Sequence, residues 1–135
     1  MNPSAGESSM DTQTTKPHFP RSRWIPDGVY VVRFRSPLDQ SGGVVTVRNG
    51  RATGGDSSYY YDGYLGEGSN GPVARMLFVR HRPETVSVVG DVERFSVVYD
   101  GRVDGELYHL EGRMDRAPGL KLTAIMSRLP VELED

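Results

Sequence analysis

The sequence contains no cysteine, which excludes a disulfide framework, a thiolate metal site, a catalytic cysteine and palmitoylation. Lysine is nearly absent, with Lys16 and Lys121 standing beside 14 arginines. The basic and acidic totals of 16 and 18 leave a net charge of −2. No basic excess exists to neutralise a run of phosphates, so direct nucleic-acid binding is not expected. Apolar runs stop at three or four residues, as at Met76 to Val79, against the roughly 20 that a membrane span needs. Histidine is sparse as well: His18, His81 and His109 lie far apart with no ligand spacing, and neither a metal nor a cofactor is implied.

What the chain does have is punctuation. Its 16 glycines and 9 prolines are spread between short apolar stretches, a pattern of strands joined by turns within about one domain's length. Residues 1–23 hold seven Ser/Thr and three Pro with almost nothing apolar, so they are expected to form a disordered tail. They lack the charged start and apolar run of a signal peptide, and a cytoplasmic location follows as the expectation. Residues 24–130 form the expected folded domain, and 131–135 an acidic end.

From Trp24 onward the apolar period is two. In Val29 to Arg35, Tyr30, Val32 and Phe34 share one face. Gly42-Gly43 open a second strand, Val44 to Arg48, which meets Asn49-Gly50, a strong hairpin signal. Further strands are expected at Arg51 to Thr53, Tyr59 to Leu65, Val73 to Arg82, Val92 to Tyr99, Arg102 to Met114 and Leu120 to Leu129. Turns are expected at Asp100-Gly101 and Ala117-Pro118-Gly119, with Gly105 as a bulge or bend and Pro83 to Gly90 as loop. Eight strands at hairpin spacing predict an all-β fold, an up-and-down antiparallel meander closed into a barrel that leaves no unpaired edge.

Several groups of residues carry possible chemistry. Gly54-Gly55-Asp56-Ser57 suits either a ligand-gripping turn or a barrel corner where only glycine fits. Tyr59 and Tyr61 share one strand face, Tyr60, Asp62 and Tyr64 the other, and such a tyrosine face suits a pocket or a subunit contact. Arg80 and Arg82 are placed on the face of Met76 and Phe78, and with Arg33 and Arg35 they form either a basic patch or a solvated sheet face. Ser57, His81 and an aspartate supply the residue types of a hydrolytic triad, but no nucleophile-elbow glycine pattern accompanies them, and no enzyme is expected. Strand faces that mix Arg and Tyr with apolar residues leave outward apolar surface, for which a homodimer is the expected cover.

The stretch Asp27-Gly28-Val29-Tyr30, then Asn49-Gly50, Thr53-Gly54-Gly55-Asp56-Ser57, Tyr60-Tyr61-Asp62-Gly63, Arg80-His81-Arg82 and Ser87-Val88 resembles the GrlR family of negative regulators of type III secretion. The resemblance implies a lipocalin-like eight-stranded barrel, a dimer, and repression by binding a transcriptional activator. It also implies a partner contact through an exposed acidic motif, Glu-Asp-Glu-Asp, at the position of Glu67-Gly68-Ser69-Asn70. Only Glu67 keeps a carboxylate there, which removes most of the attraction for a basic partner. The alternative from the residues themselves is a binding protein for a small, lipid-like ligand held in the barrel.

Overall fold

Side chains that alternate between interior and solvent mark most of the strands among the described residues. The computed structural model describes residues 24–84, 92–115, 117 and 119–133. Within them lie eight strands and no helix: β1 (Gly28–Arg35), β2 (Gln40–Arg48), β3 (Arg51–Gly55), β4 (Tyr59–Glu67), β5 (Pro72–Arg80), β6 (Arg94–Asp104), β7 (Leu107–Met114) and β8 (Leu122–Arg128). Each strand pairs antiparallel with its neighbours in chain order, and β8 returns to β1, with Phe34 opposite Ala124 and Val32 opposite Met126. The sheet is therefore a closed barrel with no free edge. The N-terminal tail, most of the Pro83 to Gly90 loop and the last two residues of the acidic end lie outside the described residues.

Side-chain alternation sends Tyr30, Val32 and Phe34 of β1 inward, with Val45 and Val47 of β2 and Ala74, Met76 and Phe78 of β5. The middle of the barrel is packed with aliphatic and small residues, and only about 30 Å³ of dry space remains among Val32, Val45, Ala52, Leu65, Met76 and Met126. Each buried valine, leucine or methionine there contributes about 1.5–3 kcal/mol by leaving water. The end where β1 begins is closed by Trp24 to Asp27. Ile25 is wholly buried there, and the Tyr30 hydroxyl donates to the Pro26 carbonyl at 2.6 Å. Arg128 Nη2 donates to the Asp27 carbonyl at 2.8 Å, and the Asn49 N–H donates to Asp27 Oδ1 at 3.0 Å. No helix among the described residues is long and apolar enough to cross a membrane.

The hairpin turn Asn49-Gly50 has φ of 51° and 82°, the left-handed pair that matches the twist of two joined strands. Across the β3–β4 outer face, Arg51 grips Asp62 through two parallel bonds, Nε to Oδ1 at 3.1 Å and Nη2 to Oδ2 at 2.9 Å. One expected turn is displaced. Asp100-Gly101 is not a turn, because β6 runs on to Asp104 and Gly101 packs where a Cβ would meet the His109 carbonyl at 2.3 Å. The reversal falls instead at Gly105, whose φ of 62° admits glycine easily. Strand ends differ too: β2 starts at Gln40, before Gly42-Gly43, and β5 ends at Arg80 rather than Arg82.

These environments set an order of tolerance. At Gly54 a Cβ would sit 1.9 Å from the Val44 carbonyl oxygen, at Gly105 it would meet nothing but a positive φ, and at Gly119 it would meet open space. Gly54→Ala should destabilise most, by on the order of 2–3 kcal/mol. Gly105→Ala should cost about 1 kcal/mol, and Gly119→Ala close to nothing. Urea midpoints of the three variants measure this order, and a Gly54→Ala protein as stable as Gly119→Ala would contradict the packing described.

Candidate functional site

The end of the barrel opposite Ile25 is built around the β3–β4 connection. Asp56 caps that turn: its Oδ1 accepts the N–H groups of Ser58 and Tyr59, both at 2.7 Å, and its own N–H donates to the Tyr59 carbonyl at 2.9 Å. This is the local backbone mimicry that favours aspartate at turns. Its second oxygen, Oδ2, accepts the hydroxyl of Tyr61. The turn is laced to the end of β5, where the His81 N–H donates to the Ser58 carbonyl at 2.8 Å and His81 Nε2 lies 3.0 Å from the Asp56 carbonyl. The Tyr59 hydroxyl donates to the Val92 carbonyl, holding the approach to β6 against the same rim.

Inside this rim lies a cavity of about 230 Å³. Its aromatic walls contact edge to face: Phe34 and Tyr61 at 5.3 Å, Tyr61 and Phe78 at 5.2 Å, and Phe34 and Phe78 at 5.6 Å between ring centres. Phe78 and Phe95 stack at 4.9 Å. Asp56, Ser57, Arg35 and Ser41 bring polar groups to the opening, and Tyr99 enters from β6. Tyr99 is 4% exposed, and its hydroxyl meets no hydrogen-bond partner among the described residues. Burial raises its pKa. Burial raises that of Tyr61 too, followed by the hydrogen bond to Asp56 and the Asp56 charge. Tyr30, at the closed end, is pushed up to about 12 by burial first and by the neighbouring Tyr108 next.

The residues singled out in the sequence fall into separate groups. Gly54, Gly55, Asp56 and Ser57 form the rim, and Tyr59 and Tyr61 point inward at 3% and 1% exposure, so of their two candidate roles a pocket wall is the one they can fill. Arg80 is half-buried at the end of β5, while Arg82 lies beyond the strand, exposed and paired with Glu84 at 3.0 Å. The two arginines therefore do not share the strand face of Met76 and Phe78, because the strand ends between them. Arg33 and Arg35 stand on β1, four places around the eight-strand ring from β5, so the four arginines do not make one patch. Glu67 closes β4 as an exposed residue, and Gly68, Ser69 and Asn70 form the following turn, where the Gly68 N–H donates to the Gly71 carbonyl at 2.8 Å. That turn is at the closed end of the barrel, away from the cavity.

Ser57, His81 and Asp56 do meet at one rim, but not as a relay. His81 Nε2 is directed to a backbone carbonyl, and the Asp56 carboxylate is engaged by Tyr61 and two backbone N–H groups. Among the described residues no cluster of three or more His, Asp or Glu could hold a metal. Phe34, Phe78, Phe95 and Tyr99 also form cavity walls, and no local sequence motif marks them. The available signal was positional: aromatic residues gather at the C-terminal ends of β1 and β5 and the N-terminal ends of β4 and β6, and antiparallel order brings those ends to one rim. In comparisons with known proteins, no family model and no curated protein matches the chain.

Two outcomes follow from this geometry. Tyr61→Phe removes a hydroxyl bonded to a carboxylate and should lower stability by about 1–2 kcal/mol, and Asp56→Ala, which strands three donors, by more; chemical denaturation measures both. Tyrosine is neutral when protonated, so a folded pKa above the unfolded 10.0 gives stability that is complete below pH 10 and lost as pH climbs through 12. Tyr30 alone should forfeit about 2 kcal/mol over that interval, with Tyr61 and Tyr99 acting in the same direction. Urea midpoints that stay level from pH 9 to 12 would overturn this.

Proposed function

We propose that this chain is a non-enzymatic regulatory protein of the GrlR type. It is a lipocalin-like, up-and-down barrel that acts in the cytoplasm as a homodimer and represses type III secretion genes by binding their transcriptional activator. The observation that carries the reading is the closed eight-stranded barrel in which Gly54-Gly55-Asp56 and the tyrosine strand, the most specific part of the resemblance, build one coherent rim. Further support comes from polarity: the interior is apolar, while Arg33, Arg35, Arg48, Arg75 and Arg113 are exposed. Membrane barrels have the reverse pattern, with an apolar band outside.

A second reading is favoured by the cavity of about 230 Å³ at the mouth: a small-molecule binding protein, with or without a regulatory partner. Barrels of eight strands are just wide enough for one small ligand. The two readings are compatible, since the cavity and the Glu67 turn lie at opposite ends of β4.

The test is a reporter fused to a type III secretion promoter and driven by its activator, with and without this chain, together with pull-down of that activator. Repression and capture are expected. Glu67→Ala should change capture by no more than about 1 kcal/mol, as exposed charges do, while Arg80→Ala with Arg82→Ala should weaken it further. Full expression of the reporter in the presence of the chain would remove the regulatory reading. Light scattering of the isolated chain should report a dimer, and a monomer at high micromolar concentration would remove that part.

A further inference from the structure

The chemistry of the cavity is more specific than its existence. This step rests on the reading of the barrel as a receiver of a small molecule, and it names the class. Space is the first constraint. A dry cavity of about 150 Å³ accommodates benzene, so about 230 Å³ suits one or two fused rings. Beyond the aromatic floor of Phe34 and Phe78 the barrel offers only about 30 Å³ more, which leaves no channel for an acyl chain. Shape is the second. Walls made of ring faces and edges favour a planar guest that can stack or meet them edge to face.

Hydrogen bonding is the third and most selective constraint. An ionised carboxylate has about four acceptor positions. At Asp56 three are taken by Ser58 N–H, Tyr59 N–H and Tyr61 O–H, so one position remains for a donor. The Tyr99 hydroxyl lines the same space, is 4% exposed, and is met by no partner among the described residues. The hydroxyl is not sealed off from the cavity, so a guest atom placed there can accept its hydrogen. Asp56 and Tyr99 line one and the same cavity, so the open carboxylate position and the hydroxyl lie within reach of a single guest.

The geometry points to a small planar heteroaromatic ligand of one or two rings, carrying on one edge an N–H donor for Asp56 and an acceptor for the Tyr99 hydroxyl. Cyclic amides of the pyridone and quinolinone kind have that edge. A fatty acid has neither the shape nor the donor, so the lipid-like ligand considered from the sequence is not the occupant this cavity selects.

The experiment is isothermal titration of the full chain with four probes: 2-quinolinone, 1-methyl-2-quinolinone, naphthalene and decanoic acid. 2-Quinolinone should bind at least ten-fold tighter than its N-methyl analogue or naphthalene, and decanoic acid should not bind. Tyr99→Phe keeps the ring and its packing while deleting one hydroxyl, and should lower 2-quinolinone affinity about ten-fold while leaving naphthalene unchanged. Leu122→Phe, which adds volume to the cavity wall, should abolish binding of both, with circular dichroism confirming that each variant keeps its strands. Decanoic acid binding in place of 2-quinolinone would overturn the ligand class while leaving the cavity as a binding site. Failure of all four probes at millimolar concentration would overturn both the class and the small-molecule reading, without touching the promoter assay. An unchanged 2-quinolinone affinity in Tyr99→Phe would show that the hydroxyl does not select the guest.

Discussion

Closure of the sheet on itself governs the rest of this molecule. Once β8 pairs with β1, every inward side chain must fit a ring of fixed circumference, and a large residue at one place demands a small one across from it or beside it. Gly112 illustrates this: a Cβ there would lie 2.7 Å from the Tyr99 ring. Gly43 does the same for Tyr61, whose hydroxyl would lie 2.4 Å from a Cβ at that position. The route of the Tyr61 hydroxyl to Asp56 thus exists because β2, two places round the ring, carries no side chain at Gly43. Burial of apolar surface stabilises the barrel, but steric exclusion decides which rotamers it holds.

The two ends answer that constraint differently. At one end the chain itself supplies the cover, and Ile25 is sealed in by bonds from Tyr30, Arg128 and Asn49 to the backbone and side chain of Pro26 and Asp27. At the other, the cover is a turn whose carboxylate serves its own backbone first. A carboxylate that caps two N–H groups is fixed in place, and a fixed acceptor beside an aromatic space is what a binding site requires of its polar groups. The cavity is therefore a by-product of how the β3–β4 turn is stabilised, and needs no additional element to hold it open.

Most of the architecture was legible in the sequence because period-two alternation and glycine turns are local signals. All eight strands were found, as was the Asn49-Gly50 hairpin. The misplaced turn shows where local signals fail: Asp100-Gly101 and Asp104-Gly105 are the same dipeptide four residues apart, and only the register with β7 decides which one bends. Gly101 pairs with Leu110 inside the ladder, so it is glycine for want of space, and Gly105 for want of a permitted φ. Asp56, Tyr59 and Tyr61 were identified because they cluster in sequence. Phe34, Phe78, Phe95 and Tyr99 come from three strands and meet only through the ring order of the sheet, and Tyr99's unmet hydroxyl is a property of packing that no sequence pattern encodes.

Separation of the rim from the Glu67 turn bears on how any partner and any ligand would interact. β4 runs from Tyr59 at the rim to Glu67 at the opposite end, about 26 Å at the ordinary rise of a strand. Sites that far apart with no shared contacts generally behave additively. Coupling over that distance needs an element with two arrangements that both sites bias, and a closed barrel whose strands are register-locked on both sides is a poor candidate for one. A ligand at the rim would therefore alter a partner contact most directly if the partner also touched the rim, where Arg80, His81 and Arg82 stand beside the Asp56 turn. A regulator of this construction would sense and bind at the same end, and the single carboxylate of the distant turn, Glu67, would then be of little consequence.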